Sequence, residues 1–251
     1  MTDRHIGNGT FMMGDCLERM GEIPEGSVDM ILCDLPYGTT QNKWDAVIPV
    51  KPLWSEYWRV AKPGAAVVLT AAQPFTSVLV MSQVEQFRQE LVWCKNVASD
   101  FLNAKRRHMA KHESVLLFCK AAPPYHPQAS PGTPYIVKRR GKDDTGDNYG
   151  NVSKRTDTIN DGSRLPTSIL EFPVQKGLHP TQKPVALFEY LIRTYTDEGM
   201  TVLDNCAGSG TTAIAAERTG RKWICIERDE NYFTKACERV RAEVESKGLF
   251  A

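Results

Sequence analysis

"TVLDNCAGSGTTAIAAERTGRKWICIERD", residues 201–229, reads as strand, tight turn, helix and strand. "MTVLDN" (200–205) and "RKWICIE" (221–227) are short, continuous apolar runs, the pattern of strands buried on both faces of a sheet. Between them, Gly208 and Gly210 permit a sharp turn and a close backbone approach to a ligand, where a Cβ would collide. Thr211 and Thr212 stand where the helix opens, so its unpaired backbone N–H groups face the turn. Glu227 ends the second strand, 19 residues after Gly208, where dinucleotide-type folds place an acid on ribose hydroxyls. The glycines form GxG followed by threonines rather than GxGxxG, and no lysine follows them in the P-loop manner. An adenosine-containing ligand without phosphates fits what is left.

The same alternation extends outward through the chain. "VDMILCD" (28–34), "AAVVLTA" (65–71), "QELVWCK" (89–95) and "ESVLLFCK" (113–120) are further strand candidates. Leu187, Phe188, Leu191, Ile192 and Tyr195 form one helical stripe, and Phe233, Ala236, Val240 and Val244 another. Strands alternating with amphipathic helices predict an α/β fold, a Rossmann-like doubly wound and mostly parallel sheet. The stretch 121–178 breaks the pattern. It is rich in Pro, Gly, Ser and Asp, is too long for an ordinary connection, and reads as an inserted functional region. The expected organisation is therefore a core in two parts, 1–120 and 179–251, interrupted by 121–178.

The run "VDMIL" delivers "CDLPYGTTQNKWD" (33–45) at its end. Acid and proline end a strand, and the end of a buried parallel strand is where α/β proteins do chemistry. The strands ending near Asp34 and Asn205 are far apart in sequence, yet a parallel sheet brings both to one edge.

Composition narrows the partners. The net charge of +1 is uneven: residues 101–160 hold 11 Lys+Arg against 5 Asp+Glu, which points to a polyanionic partner. Seven cysteines without regular spacing suit a reducing, cytoplasmic setting. No membrane span, signal peptide or metal site is expected; His108 and His112 have helical spacing but lack a third ligand.

Three motifs in order carry a resemblance. "DLPY" (34–37) resembles the Asp-Pro-Pro-Tyr motif of DNA amino-methyltransferases, "HPTQKPVALFEYLI" (179–192) the segment before their cofactor loop, and "DNCAGSGTT" (204–212) the loop itself. Catalytic motif first and cofactor loop last is the order of their permuted beta class. The resemblance implies methyl transfer from S-adenosylmethionine to the N6 amino group of adenine in double-stranded DNA. Cytosine N4 is the enzymatic alternative, and a non-catalytic nucleic-acid-binding protein the alternative of another class.

By the same resemblance, Asp34 and the carbonyl of Leu35 accept the two amino hydrogens, Pro36 stiffens the turn and Tyr37 offers a stacking face. Leucine at 35 departs from the usual proline but keeps the carbonyl. Asp15 and Cys16 fall beside the cofactor's adenine, Lys183 and Asp204 at its methionine end, Glu227 on its ribose, and Cys206, Ala207, Gly208, Ser209, Gly210, Thr211 and Thr212 along its loop. Lys105, Arg106, Arg107, Lys138, Arg139 and Arg140 are the expected DNA contacts, and 121–178 is the target-recognition region. The resemblance also allows a homodimer.

Overall fold

The computed structural model describes residues 3–38, 45–138, 157–175, 177 and 182–248. In chain order the core elements are β1 (Arg4–Ile6), β2 (Gly9–Met13), α1 (Cys16–Met20), β3 (Val28–Asp34), α2 (Val50–Val60), β4 (Ala61–Ala71), α3 (Phe75–Ser82), β5 (Phe87–Ser99) and β6 (Ala110–Phe118). After four short strands, β7 (Ser130–Pro131), β8 (Tyr135–Val137), β9 (Thr158–Asn160) and β10 (Ser163–Arg164), come β11 (Ile169–Glu171), α4 (Val185–Tyr195), β12 (Thr201–Asp204), α5 (Thr211–Arg218), β13 (Lys222–Glu227) and α6 (Glu230–Gly248).

Nine strands form one sheet in the order β1-β2-β13-β12-β3-β4-β6-β5-β11. The central run β2, β13, β12, β3 and β4 is parallel throughout. β6 is antiparallel to both β4 and β5, and β1 is antiparallel to β2. Alternate residues of each strand point to opposite faces, and the buried side chains sort accordingly. Met30, Leu32, Ala66, Val68 and Val202 join one core with α4, α5 and α6. Ile31, Cys33, Val67, Leu69 and Leu203 join the other with α1, α2 and α3. Helices therefore cover both faces, which is why the strand sequences are continuously apolar. Within α2, Leu53, Trp54, Tyr57 and Val60 are buried at one-turn spacing, so one stripe packs on the sheet while the rest meets water.

The parallel register fixes what meets at the carboxyl edge. Asp34 lies opposite Thr70 of β4, Leu203 opposite Ile31, Asp204 opposite Cys225, and Glu227 opposite Met13. The strands expected from sequence are present, and β4, β5 and β6 are longer than their apolar runs suggest. The N-terminal hairpin β1–β2 and the edge strand β11 were not anticipated: β1 and β11 are only three residues each, too short to show a period.

A second compact unit spans Pro127–Thr167. It contains two small antiparallel pairs, β7 with β10 and β8 with β9. The guanidinium of Arg164 lies 4.9 Å from the Tyr135 ring centre and donates to the Asn160 side chain and the Thr133 carbonyl. Ile169–Glu171, inside the stretch read as an insertion, pairs in parallel with β5 of the large sheet.

Candidate active site

Asp34 is the last residue of β3, and its carboxylate is the hub of a polar cluster. Oδ1 accepts from the Tyr37 hydroxyl (2.8 Å) and the Thr70 hydroxyl (2.5 Å). Oδ2 accepts from Lys183 Nζ at 2.7 Å. Lys183 also pairs with Glu113 Oε2 at 3.2 Å, and Glu113 Oε1 takes Lys95 Nζ at 3.1 Å. Two carboxylates and two ammonium groups thus alternate across β3, β5, β6 and the segment entering α4. Each oxygen of a carboxylate has two lone-pair directions, so Asp34 retains acceptor capacity beyond these bonds.

The electrostatics follow from burial and pairing. Burial opposes the charge on Lys183, but Asp34 and Glu113 outweigh it, and the ammonium is held above the ordinary lysine range. For Glu113 burial pushes up, while Lys183 and Lys95 pull down further, leaving its carboxyl below the usual range. Burial first, then the charges of Asp34 and Glu113, drive the Tyr37 phenol well above its usual value, so it stays a donor. Its ring packs against Phe75, centres 5.8 Å apart, and Lys183 Nζ lies 5.4 Å from its centre. Leu35 is buried, and the Gly38 N–H donates to Asp45 Oδ1 at 2.9 Å, closing the loop base. Trp44 lies outside the described residues.

Beside this cluster on the same edge, β12 and β13 present two acids in another setting. Asp204 is buried; it accepts from the Thr212 hydroxyl (2.5 Å) and the Cys206 N–H (2.9 Å). Burial raises its carboxyl to about 6 despite those bonds. Glu227 accepts the N–H groups of Gly208 and Asp229, each at 2.8 Å, and burial raises it as well. Among the described residues neither acid has an ion-pair partner. Gly208 (φ +51) has nothing closer than 4.0 Å to an added Cβ, so space opens in front of it. Gly210 (φ +77) differs: a Cβ there would press on Phe11, Ala236 and Val240.

The other residues singled out in the sequence fall as follows. Asp15 caps α1, its side chain accepting the Leu17 N–H at 2.9 Å, and Cys16 is buried behind it. Ala207 is tied to the Ile226 carbonyl and Ser209 to Arg239 of α6. Thr211 and Thr212 are buried at the start of α5, Thr212 acting on Asp204. Lys183, expected at the cofactor's methionine end, contacts Asp34 and Glu113. Lys105, Arg106 and Lys138 are exposed, and Arg107 pairs with Asp100 at 2.7 Å. Arg139, Arg140 and His179 lie outside the described residues. Sequence reasoning missed Thr70, Lys95 and Glu113. A charged residue opening the otherwise apolar run "ESVLLFCK" was the available signal.

A family model described as DNA methylase, of the N6/N4 type, matches residues 28–238, from the start of β3 into α6. The chain belongs to this family. It is a DNA methyltransferase, and its methyl donor is S-adenosylmethionine. The chain is 28% identical to the DNA adenine methyltransferase YhdJ of Escherichia coli K12, covering 92% of this chain and 82% of that protein. It is 42% identical to the type II methyltransferase M2.DpnII of Streptococcus pneumoniae, over 35% of each. In fold it is similar to the M1.HpyAVI–SAM complex (TM-score 0.61, 23% identity, 91% of this chain and 98% of that one). It is also similar to the cytosine-N4-specific PvuII DNA methyltransferase (TM-score 0.67, 17% identity, 96% and 92%).

The β12–β13 edge suits that donor. Two carboxylates raised by burial and lacking cations match a ligand carrying a sulfonium, an amine and ribose hydroxyls. The open space before Gly208 leaves the backbone free to approach it. Among the described residues no His/Cys/Asp/Glu group could hold a metal, and no helix is long and apolar enough to cross a membrane.

Proposed function

We propose that this DNA methyltransferase modifies the N6 amino group of adenine in double-stranded DNA. The observation that supports it best is the Asp34 carboxylate, ion-paired to a buried ammonium at the strand end. The DNA adenine methyltransferase of E. coli, similar along most of the chain, points the same way. The likeness to the cytosine-N4 enzyme is one of fold at 17% identity and does not bear on the base.

Bound S-adenosylmethionine supplies an electrophilic methyl carbon on a positively charged sulfur. Asp204 would hold its amine, Glu227 its ribose hydroxyls, and the Gly208 backbone would border it. An adenine amino nitrogen is a weak nucleophile because its lone pair is delocalised into the ring. Asp34 and the Leu35 carbonyl would accept its two hydrogens and turn the lone pair out of the ring plane. The negative carboxylate also offsets positive charge developing on nitrogen. One proton then leaves the nitrogen by way of Asp34 to water. Lys183, held from behind by Glu113, fixes the orientation of Asp34, and Thr70 and Tyr37 fix its other oxygen. Phe75 packs against the Tyr37 ring and steadies it. A base in a duplex reaches such a site only when flipped out.

Nucleoside analysis of DNA from a host expressing the chain, beside one expressing Asp34→Ala, tests the reading. N6-methyladenine that vanishes with the variant is expected. N4-methylcytosine alone would overturn the assignment of the base.

A further inference from the structure

β5 and β6 run on past the end of β4. Ala71, the last residue of β4, lies opposite Ser114, whereas the β5–β6 ladder continues through Trp93 opposite Glu113 to Ser99 opposite Ala110. The connecting segment 100–109 therefore stands about 10 Å beyond Glu113, at roughly 3.3 Å per strand residue. It is a held loop. Asp100, in the left-handed region (φ +69), accepts from Asn103 Nδ2 at 2.6 Å and Arg107 Nε at 2.7 Å. Backbone bonds from Asn103 to Asp100 and from Ala104 to Phe101 close a turn. Ser99 ties its neck to Lys95 (3.1 Å) and to the Ala110 carbonyl (3.2 Å).

This ordered turn directs apolar side chains into water. Phe101 is 73% exposed and Leu102 84%. Burying such side chains stabilises a fold, and this one forgoes that gain at two adjacent positions. Exposed Lys105, Arg106 and Lys111 follow them in the chain. The cations select a polyanion, and the apolar pair selects one with an apolar interior that can be entered. Duplex DNA has both, since side chains such as Phe and Leu part base steps and unstack them. A base that leaves the helix for Asp34 also leaves a gap between two apolar base faces.

We propose that Phe101 and Leu102 are a wedge that enters the duplex and fills the place of the flipped target base, with Lys105 and Arg106 on the flanking phosphates. The proposal rests on the chain acting on duplex DNA and is indifferent to which base is methylated.

The test is single-turnover methyl transfer from tritiated S-adenosylmethionine to two duplexes. One carries the sequence found methylated in host DNA; the other is the same with the target base mispaired, so that flipping is already eased. Phe101→Ala/Leu102→Ala should slow transfer to the paired duplex about tenfold or more and to the mispaired one by less than about threefold. Phe101→Trp should keep the parent's ratio. Equal slowing on both duplexes, or none on either, as for a loop serving a protein partner, overturns the wedge. A parent that methylates neither duplex overturns the DNA methyltransferase reading, and the wedge with it.

Discussion

Two acids end neighbouring strands of this sheet, and they are treated in opposite ways. Asp34 is wrapped by charge: Lys183 at 2.7 Å, Glu113 behind it, and Lys95 behind that. Asp204 is more deeply buried, accepts from a hydroxyl and a backbone N–H with no ion pair among the described residues, and its carboxyl rises to about 6. Glu227 resembles Asp204, held by two backbone N–H groups and also raised. The difference teaches what each edge lacks. Around Asp34 the two carboxylates and two ammonium groups balance, so no net charge is left there for a bound ligand to neutralise. Around Asp204 and Glu227 negative charge is left over, which is what the proposed binding of the cationic methyl donor there would offset.

The largest effect should come from Asp34→Asn, which keeps the shape and removes the charge. Methyl transfer should fall about 10²–10³-fold, the scale for loss of a group aimed at developing charge. Affinity for S-adenosylmethionine should change little. Single-turnover rates and calorimetry separate the two. If affinity falls as far as the rate, Asp34 serves the cofactor and the contrast between the two edges collapses.

Lys183→Met should come next. It leaves Asp34 and Glu113 without the ammonium they share, and like charges at close range resist joint ionisation. Transfer should fall about tenfold at neutral pH and recover as pH rises, because the pair then loses its second proton. Removing one partner of a buried pair costs about 3–5 kcal/mol; less is expected here, since Asp34 is 25% exposed and Lys95 still holds Glu113. Denaturant unfolding checks the loss. A slower rate without pH dependence, together with weakened cofactor binding, would instead return Lys183 to the methionine carboxylate.

A third experiment turns on Asp204. Its folded value, about 6, lies above the ordinary carboxylate value, so the native state holds a proton that the unfolded chain has released. Its contribution to stability is therefore greatest at acid pH and declines as pH rises from about 4 to 6. Cofactor binding has the opposite sign, since a bound cation favours the ionised form. Affinity should weaken about tenfold per unit as pH falls below 6, and Asp204→Asn should flatten that slope. Titration calorimetry between pH 5 and 7 measures it; a flat profile in the parent would leave Asp204 without a cationic ligand.

The strand–turn–helix–strand at 201–229 and the strand ending at Asp34 were legible because buried parallel strands are continuously apolar and their ends are abruptly polar. Register then follows from parallel pairing, and Asp34, Asp204 and Glu227 share an edge. Glu113 and Lys95 were not legible as a pair. They sit on antiparallel strands whose register depends on how far β5 and β6 overrun β4, which no local pattern records. Phe101 and Leu102 give no signal in the sequence, since an apolar pair is most often buried; their exposure is a property of the fold. Asp15, which the resemblance puts beside the cofactor's adenine, also caps α1, a local role not read from the sequence.

The smallest effects separate two glycines that look alike in sequence. Both have positive φ, where a side chain costs about 1–2 kcal/mol. At Gly210 a Cβ would also meet Phe11 Cζ at 3.1 Å and Ala236 and Val240 at 3.3 Å, all in the packed core. Gly210→Ala should therefore lower stability by about 2–4 kcal/mol, strain and overpacking combined, and leave the folded fraction binding S-adenosylmethionine normally. At Gly208 the nearest atom is the Cys206 carbonyl oxygen at 4.0 Å, so the protein itself has room for a methyl group. Gly208→Ala should cost only the backbone strain, about 1 kcal/mol. It should instead weaken cofactor affinity about fivefold, because the added methyl enters the space before Glu227 where the ligand approaches. Denaturant unfolding and calorimetry on both variants give four numbers. Equal affinity losses would mean that both glycines border the ligand; an affinity loss at Gly210 alone would place the ligand on the other side of the turn.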